Sequence, residues 1–213
     1  MKPGKNKDGY FSNDDICEQA LEAVSIVHEC WPQYEHVLIY DNASTHLKRA
    51  DNALSARKMP KNIPKPGCNW GIEVTKHDPV TGKICYKSDG SYEKVNIHML
   101  DACFADGTPQ PLYFPEGHER AGVFKGTAKI LEERGFTDTS IIQAECKSFK
   151  CTPALDGETQ QCCLRRILYN QPDFANIPSL LEETCRVQGV LMIFLPKFHC
   201  ELNFIEQCWG FAK

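Results

Sequence analysis

The sequence predicts a mixed α/β fold, and three observations support the prediction. Two short apolar runs, HVLIY at 36–40 and VLMIFL at 190–195, are typical of buried strands. Each run follows a segment in which apolar residues recur at helical spacing, from residue 13 to about 30 and from 179 to 188. The first strand also ends at Asp41, and side chains at the carboxyl ends of strands commonly bind ligands in open α/β sheets.

The helix boundaries follow from the residues that flank these segments. Ser12 to Asp15 supplies the capping side chains and early acids that begin a helix, and Trp31-Pro32 ends it. The second helix is expected to begin at Ser179 and to end at Gly189. After the second strand, a final helix is predicted to begin near Asn203.

The middle of the chain predicts smaller elements. A strand, a turn and a strand are expected between Ala102 and Phe114, with Asp106-Gly107 as the turn. Phe124 to Arg134 is predicted to be a helix that Gly135 ends. The segment from Cys146 to Cys163 is polar and rich in cysteine, with little periodicity.

Length and composition are those of an ordinary globular protein of 213 residues, 42% hydrophobic and 24% charged. No run approaches the ~18 apolar residues that span a bilayer, and the first residues lack the apolar stretch of a secretory signal. We therefore expect an intracellular protein, nuclear or elsewhere in the cell, that is not secreted and has no membrane partner. The net charge of −4 excludes a global attraction to DNA, so any DNA binding must be local.

The most basic window of the chain lies between Thr45 and Pro66, where six lysines and arginines stand against one acid, Asp51. Two interpretations stay open: these residues contact DNA phosphates, or they are the solvated charges of a loop. Arg165 and Arg166 form a second basic pair beside two cysteines. The candidate DNA contacts are Lys48, Arg49, Arg57, Lys58, Lys61, Lys65, Arg165 and Arg166.

The chain contains twelve cysteines. Because nothing in the sequence indicates secretion, we expect free thiols or metal ligands rather than disulfides. A structural Zn²⁺ ion takes four Cys or His ligands, and buried free thiols are the alternative. The candidate zinc ligands are Cys146, Cys151, Cys162, Cys163, His199 and Cys200. Four other cysteines fall on helical patterns and are expected to be small core residues: Cys17, Cys30, Cys185 and Cys208.

Two motifs share the same context, since each follows a predicted strand. The first contains Asp41, Asn42, Ala43 and His46, and the second contains Leu195, Pro196, Leu202, Asn203, Ile205, Glu206 and Trp209. In these residues the sequence resembles the DDE transposases and integrases of the mariner-like superfamily, specifically over residues 1–47 and 179–213. The resemblance implies a ribonuclease H-like fold, in which helices flank a mixed sheet and three acids hold two divalent metal ions.

The resemblance also implies roles for individual residues. Asp41 corresponds to the second acid and Glu206 to the third, both catalytic and both ligands of Mg²⁺ or Mn²⁺. Asn42, His46 and Asn203 would surround these acids. Clustered acids suit this chemistry because hard cations prefer carboxylate oxygen. Two such ions, about 3.5–4 Å apart, activate an attacking hydroxyl and stabilise the leaving oxygen.

Two features depart from the family pattern. The family's first acid lies on a strand upstream of the helix that begins at residue 13, and the chain has too few residues there to form that strand. We therefore expect an N-terminally truncated copy that lacks the first strands and does not cut DNA by itself. Asp41 and Glu206 are also much further apart than one helix and one strand require, which predicts a large cysteine-containing insertion. The predicted domains are the two parts of the core, 1–47 and 179–213, and the insertion, 48–178.

The function implied by the resemblance is metal-dependent DNA cleavage and strand transfer, as in transposition and DNA integration by a mobile element. The partners would be transposon ends and target DNA, and a homodimer would join two ends. A non-catalytic remnant that binds DNA or is stabilised by zinc is the first alternative. An unrelated metabolic enzyme that uses the cysteines is the second.

Overall fold

The computed structural model of the protein describes residues 11–151 and 161–202, together with Cys208 and Phe211 but without the side chains of Phe149 and Cys200. Over this part the fold is mixed α/β, with helices, small two-stranded sheets and a cluster of cysteines. The chain divides into two compact units. Unit 1 consists of Met1–Ala50 and Pro178–Lys213, and unit 2 is Asp51–Ile177. That unit 2 is an insertion into an older fold stays a prediction.

The elements of the fold are mostly short, and two 3-10 helices lie at Lys147–Phe149 and Cys200–Leu202. Among the described residues, no helix combines the length and the apolar character needed to cross a membrane. In chain order the helices and strands are α1 (Asn13–Cys30), β1 (Val37–Tyr40), β2 (Ile72–Thr75), β3 (Lys94–Ile97), β4 (Ala102–Cys103), β5 (Pro109–Gln110), α2 (Thr127–Glu133), α3 (Leu164–Tyr169), α4 (Pro172–Ala175), α5 (Leu180–Val187) and β6 (Leu191–Phe194).

The two helices of unit 1, α1 and α5, confirm the helices predicted at their positions. The Ser12 hydroxyl accepts the Asp15 N–H at 3.3 Å, while the Asp15 carboxylate accepts the Ser12 N–H at 2.8 Å. Ser179 and Glu182 form the same reciprocal pair at the start of α5, at 3.1 and 2.6 Å. Such capping boxes satisfy backbone amides that the first turn of a helix leaves without partners.

The strands β1 and β6 pair in parallel, with Val37 opposite Leu191 and Tyr40 opposite Phe194, and they confirm two predicted strands. Side chains of one face pack against the core of unit 1, which consists of Ile16, Ala20, Val24, Leu181, Cys185 and Val190. The residues on the opposite face are exposed: Val37, Ile39, Leu191 and Ile193. Because a two-stranded sheet is marginal alone, the packing of α1 and α5 is what stabilises this pair.

Unit 2 contains two antiparallel hairpins. The longer hairpin joins β2 to β3, with Ile72 opposite Ile97, and the sequence did not predict it. The shorter hairpin joins β4 to β5 and confirms the predicted strand, turn and strand. Gly107 occupies its turn with a φ of 84°, a conformation in which a residue without a side chain is favoured.

The helix α2 begins later than the sequence predicts, at Thr127 instead of Phe124. The Lys125 N–H donates to a backbone carbonyl at 3.0 Å, so the residues before the helix are extended. Gly126 then turns the chain with a φ of 84°, and a side chain at this position would collide with the backbone of residues 61–63. Tertiary pairing therefore sets the start of α2.

The core of unit 2 surrounds Phe124, whose side chain is fully buried. The helices α3 and α4, which the sequence did not predict, contribute to it from the chain after the cysteine-rich segment. Its buried members are Leu54, Ala56, Met99, Ala102, Leu112, Tyr113, Phe124, Ile130, Leu131, Leu164, Ile167, Leu168 and Phe174.

Arg134 and Asp173 form a buried ion pair in unit 2. The Arg134 guanidinium donates to the two Asp173 carboxylate oxygens at 2.9 and 2.7 Å, and the side chains are only 6% and 15% exposed. The Cys103 N–H donates to the same carboxylate at 3.0 Å. Burial by itself raises the pKa of Asp173, but the hydrogen bonds from Arg134 and Cys103 outweigh it, so the pKa lies below its ordinary value of 3.8.

Replacing Asp173 by Ala leaves the Arg134 charge buried without its partner. We expect the free energy of unfolding, measured with urea, to fall by about 3–5 kcal/mol. Because the folded-state pKa of Asp173 lies below the unfolded value, the pair stabilises the fold above about pH 4 and stops doing so as pH falls through the folded pKa. Asp173→Asn has no carboxyl group to protonate at this position. Its stability should therefore fall less than that of the wild type as pH drops below about 4.

Glu73→Ala is the matched control for this prediction. It removes an exposed ion pair in which Lys94 Nζ lies 2.7 Å from Glu73 Oε1. Exposed pairs contribute little to stability, so the urea midpoint should stay near that of the wild type. Equal destabilisation by Asp173→Ala and Glu73→Ala would contradict the importance of the buried pair.

Candidate functional site

The parallel pairing of β1 and β6 brings the carboxyl ends of these strands to one edge of the sheet of unit 1. Asp41 follows β1, and Leu195-Pro196 follows β6. The Leu195 N–H donates to the Tyr40 carbonyl at 2.9 Å, and Asn42 Nδ2 donates to the Leu195 carbonyl at 3.3 Å. Two sequence motifs that are far apart along the chain are therefore hydrogen-bonded to each other.

A small pocket of about 210 Å³ lies at this strand edge. Its lining residues are Asp41, Asn42, Ala43, Leu195, Pro196, Lys197, Phe198 and His199. The Asp41 side chain is 43% exposed, whereas that of His46 is 18% exposed. His46 Nδ1 lies 2.6 Å from Asp41 Oδ1 and 3.1 Å from the Asp41 carbonyl oxygen, so it donates to this residue. Asp41 thus offers a partly exposed carboxylate that a histidine holds in place.

The other half of the predicted acidic site lies outside the described residues. Glu206 and Asn203 belong to that part of the chain, as does Trp209. The continuous described chain reaches Leu202, at the end of the short 3-10 helix within the second motif. The structure therefore describes Asp41, Asn42 and His46 together, and the roles of Glu206 and Asn203 stay predictions.

Four cysteines of unit 2 lie together. The Sγ atoms of Cys146, Cys151, Cys162 and Cys163 all lie within 4.8 Å of one another, and we call this group the cysteine cluster. Cys163 is buried, and the other three are half-buried. In a tetrahedral zinc site with Zn–S bonds of ~2.3 Å, the sulfur atoms would be about 3.8 Å apart, so a small contraction would suit the cluster to an ion. The cysteine cluster could therefore hold a metal ion.

Neighbouring side chains donate to the sulfur atoms of the cluster. Gln143 Nε2 donates to Cys146 Sγ at 3.3 Å and to the Cys162 carbonyl at 3.1 Å. Arg166 Nε donates to Cys151 Sγ at 3.5 Å. Hydrogen bonds of this kind orient metal ligands and adjust their basicity, so Gln143 and Arg166 would orient the ligands of an ion bound here. Sequence analysis did not identify Gln143, and it named Arg166 only as a candidate DNA contact.

The thiols of the cluster differ in acidity. The hydrogen bond from Arg166 is the main reason that the pKa of Cys151 lies below its ordinary value. The pKa of Cys146 is raised to about 12, first by its hydrogen bond to Cys162 and then by burial. Burial also raises the pKa of Cys162. Of these three thiols, Cys151 is therefore the one that most readily becomes a thiolate.

The backbone fixes the two parts of the cluster relative to each other. The Leu164 N–H donates to the Gln143 carbonyl at 3.1 Å, and the Arg165 N–H donates to the Ala144 carbonyl at 3.1 Å. These bonds attach the chain before Cys146 to the first turn of α3. The cluster is therefore part of the packed fold of unit 2.

The remaining predicted zinc ligands, His199 and Cys200, belong to unit 1. The His199 ring contacts Glu201 there, with Nδ1 and Oε1 2.7 Å apart, and the side chain of Cys200 lies outside the described part. Four thiols complete a tetrahedral site, so the cysteine cluster needs neither residue.

The cysteines expected in helical cores give a mixed result. Cys185 is buried and Cys17 packs against the core of unit 1, as predicted. Cys30 and Cys208 are exposed, so the prediction for these two was wrong. Cys30 is the last residue of α1 and lies off the stripe of buried residues that packs on the sheet.

The predicted DNA contacts differ in their exposure and in the partners that they bind within the protein. Lys48, Arg49, Arg57, Lys58 and Lys65 are exposed, and Lys48 Nζ lies 4.0 Å from Asp14 in unit 1. The Lys61 ammonium donates to the backbone carbonyls of Ser140 and Ile142, both at 2.6 Å, so its charge is used within unit 2. Arg165 pairs with Glu145, and the Arg166 guanidinium carbon lies 5.2 Å from the centre of the Tyr169 ring.

Comparison of the chain with known proteins found no match among protein-family models, curated proteins or solved structures. The chemistry available at the two sites is nevertheless distinct. The strand edge of unit 1 offers an oxygen ligand, which suits a hard cation such as Mg²⁺. The cysteine cluster of unit 2 offers four sulfur ligands, which suit a softer ion.

Proposed function

We propose that this chain derives from a DDE transposase and that Asp41 and Glu206 hold the divalent metal ion, Mg²⁺ or Mn²⁺, with which such enzymes act on DNA phosphodiesters, although this chain is not expected to cut DNA by itself. The observation that supports this function best is the meeting of the two motifs at one strand edge, where Asn42 bonds to the Leu195 carbonyl. The motif that contains Glu206 continues from this point of the chain.

The arrangement of unit 1 supports a ribonuclease H-like core as the setting of this site. A parallel strand pair with helices on one face is the usual product of α/β connections. In such sheets, ligands bind at the carboxyl ends of the strands, which is where Asp41 lies. The exposed apolar side chains of the second sheet face, Ile39 among them, are compatible with a larger layered fold.

Each described residue of the site has a definite part in the proposed chemistry. The Asp41 carboxylate would bind the metal through the oxygen that its exposure leaves accessible. His46 would fix the orientation of that carboxylate, because its Nδ1 lies 2.6 Å from Asp41 Oδ1, and Asn42 would keep the two loops together. When bound, the metal would activate a nucleophile and stabilise the leaving oxygen.

The first proposal is tested by the binding of Mn²⁺, followed by electron paramagnetic resonance in the presence of DNA. We expect Asp41→Ala to weaken Mn²⁺ binding by more than about 100-fold and His46→Ala by about 10- to 100-fold. Asp14→Ala is the control, because it removes the same charge from an 86% exposed side chain of unit 1. Unchanged Mn²⁺ binding in Asp41→Ala would contradict the proposed metal site.

A second candidate function is a non-catalytic, zinc-stabilised remnant that binds DNA. The cysteine cluster favours it, because that cluster lies in unit 2 and does not depend on Asp41. Metal-dependent nicking of supercoiled DNA separates the two functions. Nicking that is lost in Asp41→Ala indicates the enzyme, whereas DNA retention without cleavage indicates the remnant.

We also propose that the cysteine cluster holds a structural Zn²⁺ ion. Zinc would join Cys146 and Cys151 to Cys162 and Cys163, at the start of α3, and so stabilise a unit whose helices and strands are short. Metal binding of this kind contributes directly to the free energy of folding.

Elemental analysis of the purified chain should find about one zinc per molecule. Cys151→Ser and Cys162→Ser should each lower the zinc content and the melting temperature, because a ligand is lost. Cys68→Ser is the control, since it changes an exposed cysteine of unit 2 outside the cluster. A zinc-free chain with the same melting temperature as the loaded chain would contradict a structural role.

A further inference from the structure

A groove of about 540 Å³ lies in unit 2 beside the cysteine cluster. Its lining residues are Arg57, Glu145, Ser148, Arg165, Arg166 and Tyr169, so three guanidinium groups face it and only one carboxylate. We propose that this groove, the arginine groove, binds a nucleotide of single-stranded DNA. The arginines would contact the phosphate and the Tyr169 ring would stack on the base. The inference rests on the proposed function for its ligand class, DNA, and assigns that ligand a site.

The charge of the groove is opposite in sign to the net charge of the chain. The net charge of the protein is −4, so the chain as a whole repels a nucleic acid, and attraction requires a local excess of positive charge. The guanidinium group matches phosphate better than an ammonium group does, because its planar fork donates two parallel hydrogen bonds. Arg57 is exposed and carries such a fork at the groove.

Two of the three guanidinium groups are already held in position. Arg165 forms an ion pair with Glu145, and Arg166 donates to Cys151 Sγ while lying over the Tyr169 ring. Side chains that are fixed before binding lose less conformational entropy when a ligand arrives. Arg165 and Arg166 are therefore in position before an anion binds to the groove.

The aromatic ring distinguishes a single strand from a duplex. Tyr169 ends α3 and is 49% exposed, so part of its ring is available to a ligand. A ring can stack on a base only where that base is free of its neighbours, which is the situation in single strands. Aromatic rings combined with positive charge along a groove are the common means of binding single-stranded nucleic acid.

The arginines could instead serve only to offset the charge of cysteine thiolates. Arg166 is the guanidinium that donates to a cluster sulfur atom. Arg57 and Tyr169 also line the groove. Replacing these two residues therefore tests DNA binding separately from support of the cluster.

The test is fluorescence anisotropy of a short labelled oligothymidylate with the zinc-loaded full chain, at several salt concentrations and without Mg²⁺ or Mn²⁺. Arg57→Ala should weaken binding about 10-fold and lower the salt slope by about 0.7, the value for one phosphate contact on a single strand. Tyr169→Ala should weaken binding about 5- to 100-fold without changing the salt slope, and Tyr169→Phe should restore it. Zinc content should stay unchanged in all three variants.

Lys83→Ala is the control, because it removes one positive charge from an exposed turn of the same unit. Equal weakening by Lys83→Ala and Arg57→Ala would contradict DNA binding in the arginine groove, as would full binding by Tyr169→Ala. An unlabelled duplex that displaces the oligothymidylate better than the unlabelled single strand does would also overturn it. Asp41→Ala should bind the oligothymidylate like the wild type, so the failure of the Mn²⁺ site and the failure of the groove are told apart.

Discussion

The parallel pairing of β1 with β6 is the constraint on which unit 1 depends. Parallel strands cannot be joined by a tight turn, so the chain must leave this sheet and come back in the same direction. It leaves near Ala50 and returns near Pro178. The Leu180 N–H donates to the Lys48 carbonyl at 2.8 Å, so the outgoing and returning segments are hydrogen-bonded to each other. Because both motifs directly follow these strands, the strand register also sets Asp41 beside Leu195.

This constraint fixes only the ends of unit 2, so unit 2 can carry a separate core and a separate site. The entropy of closing a loop grows only slowly with its length, so a long connection between fixed ends is tolerated. Unit 2 has its own core around Phe124, and the ion pair of Arg134 with Asp173 is internal to it. The oxygen site at Asp41 and the sulfur site at Cys151 can therefore be altered separately, since each is built from contacts within one unit.

Elements with strong local signals could be predicted from the sequence to within a residue or two. The helix α1 begins where Ser12 caps it, and β6 lies inside the predicted apolar run. The hairpin of β2 and β3 was missed because its strands are short and mostly polar or exposed, so the hydrophobic pattern is weak. The start of α2 was misplaced because the pairing of Lys125 with a distant segment overrides helical propensity. Local sequence cannot report such long-range contacts.

The sites show the same limit at the level of single side chains. Counting soft ligands gave six candidates for zinc, yet only the topology separates the four cysteines of unit 2 from His199 and Cys200. Sequence analysis named Arg166 only as a candidate DNA contact, but this residue links two features: its Nε bonds to Cys151, and its guanidinium lies over Tyr169. A metal on the cluster would hold Cys151 as a thiolate, and a charged acceptor strengthens the bond from Arg166. The occupancy of the cysteine cluster would then determine how firmly one wall of the arginine groove is held.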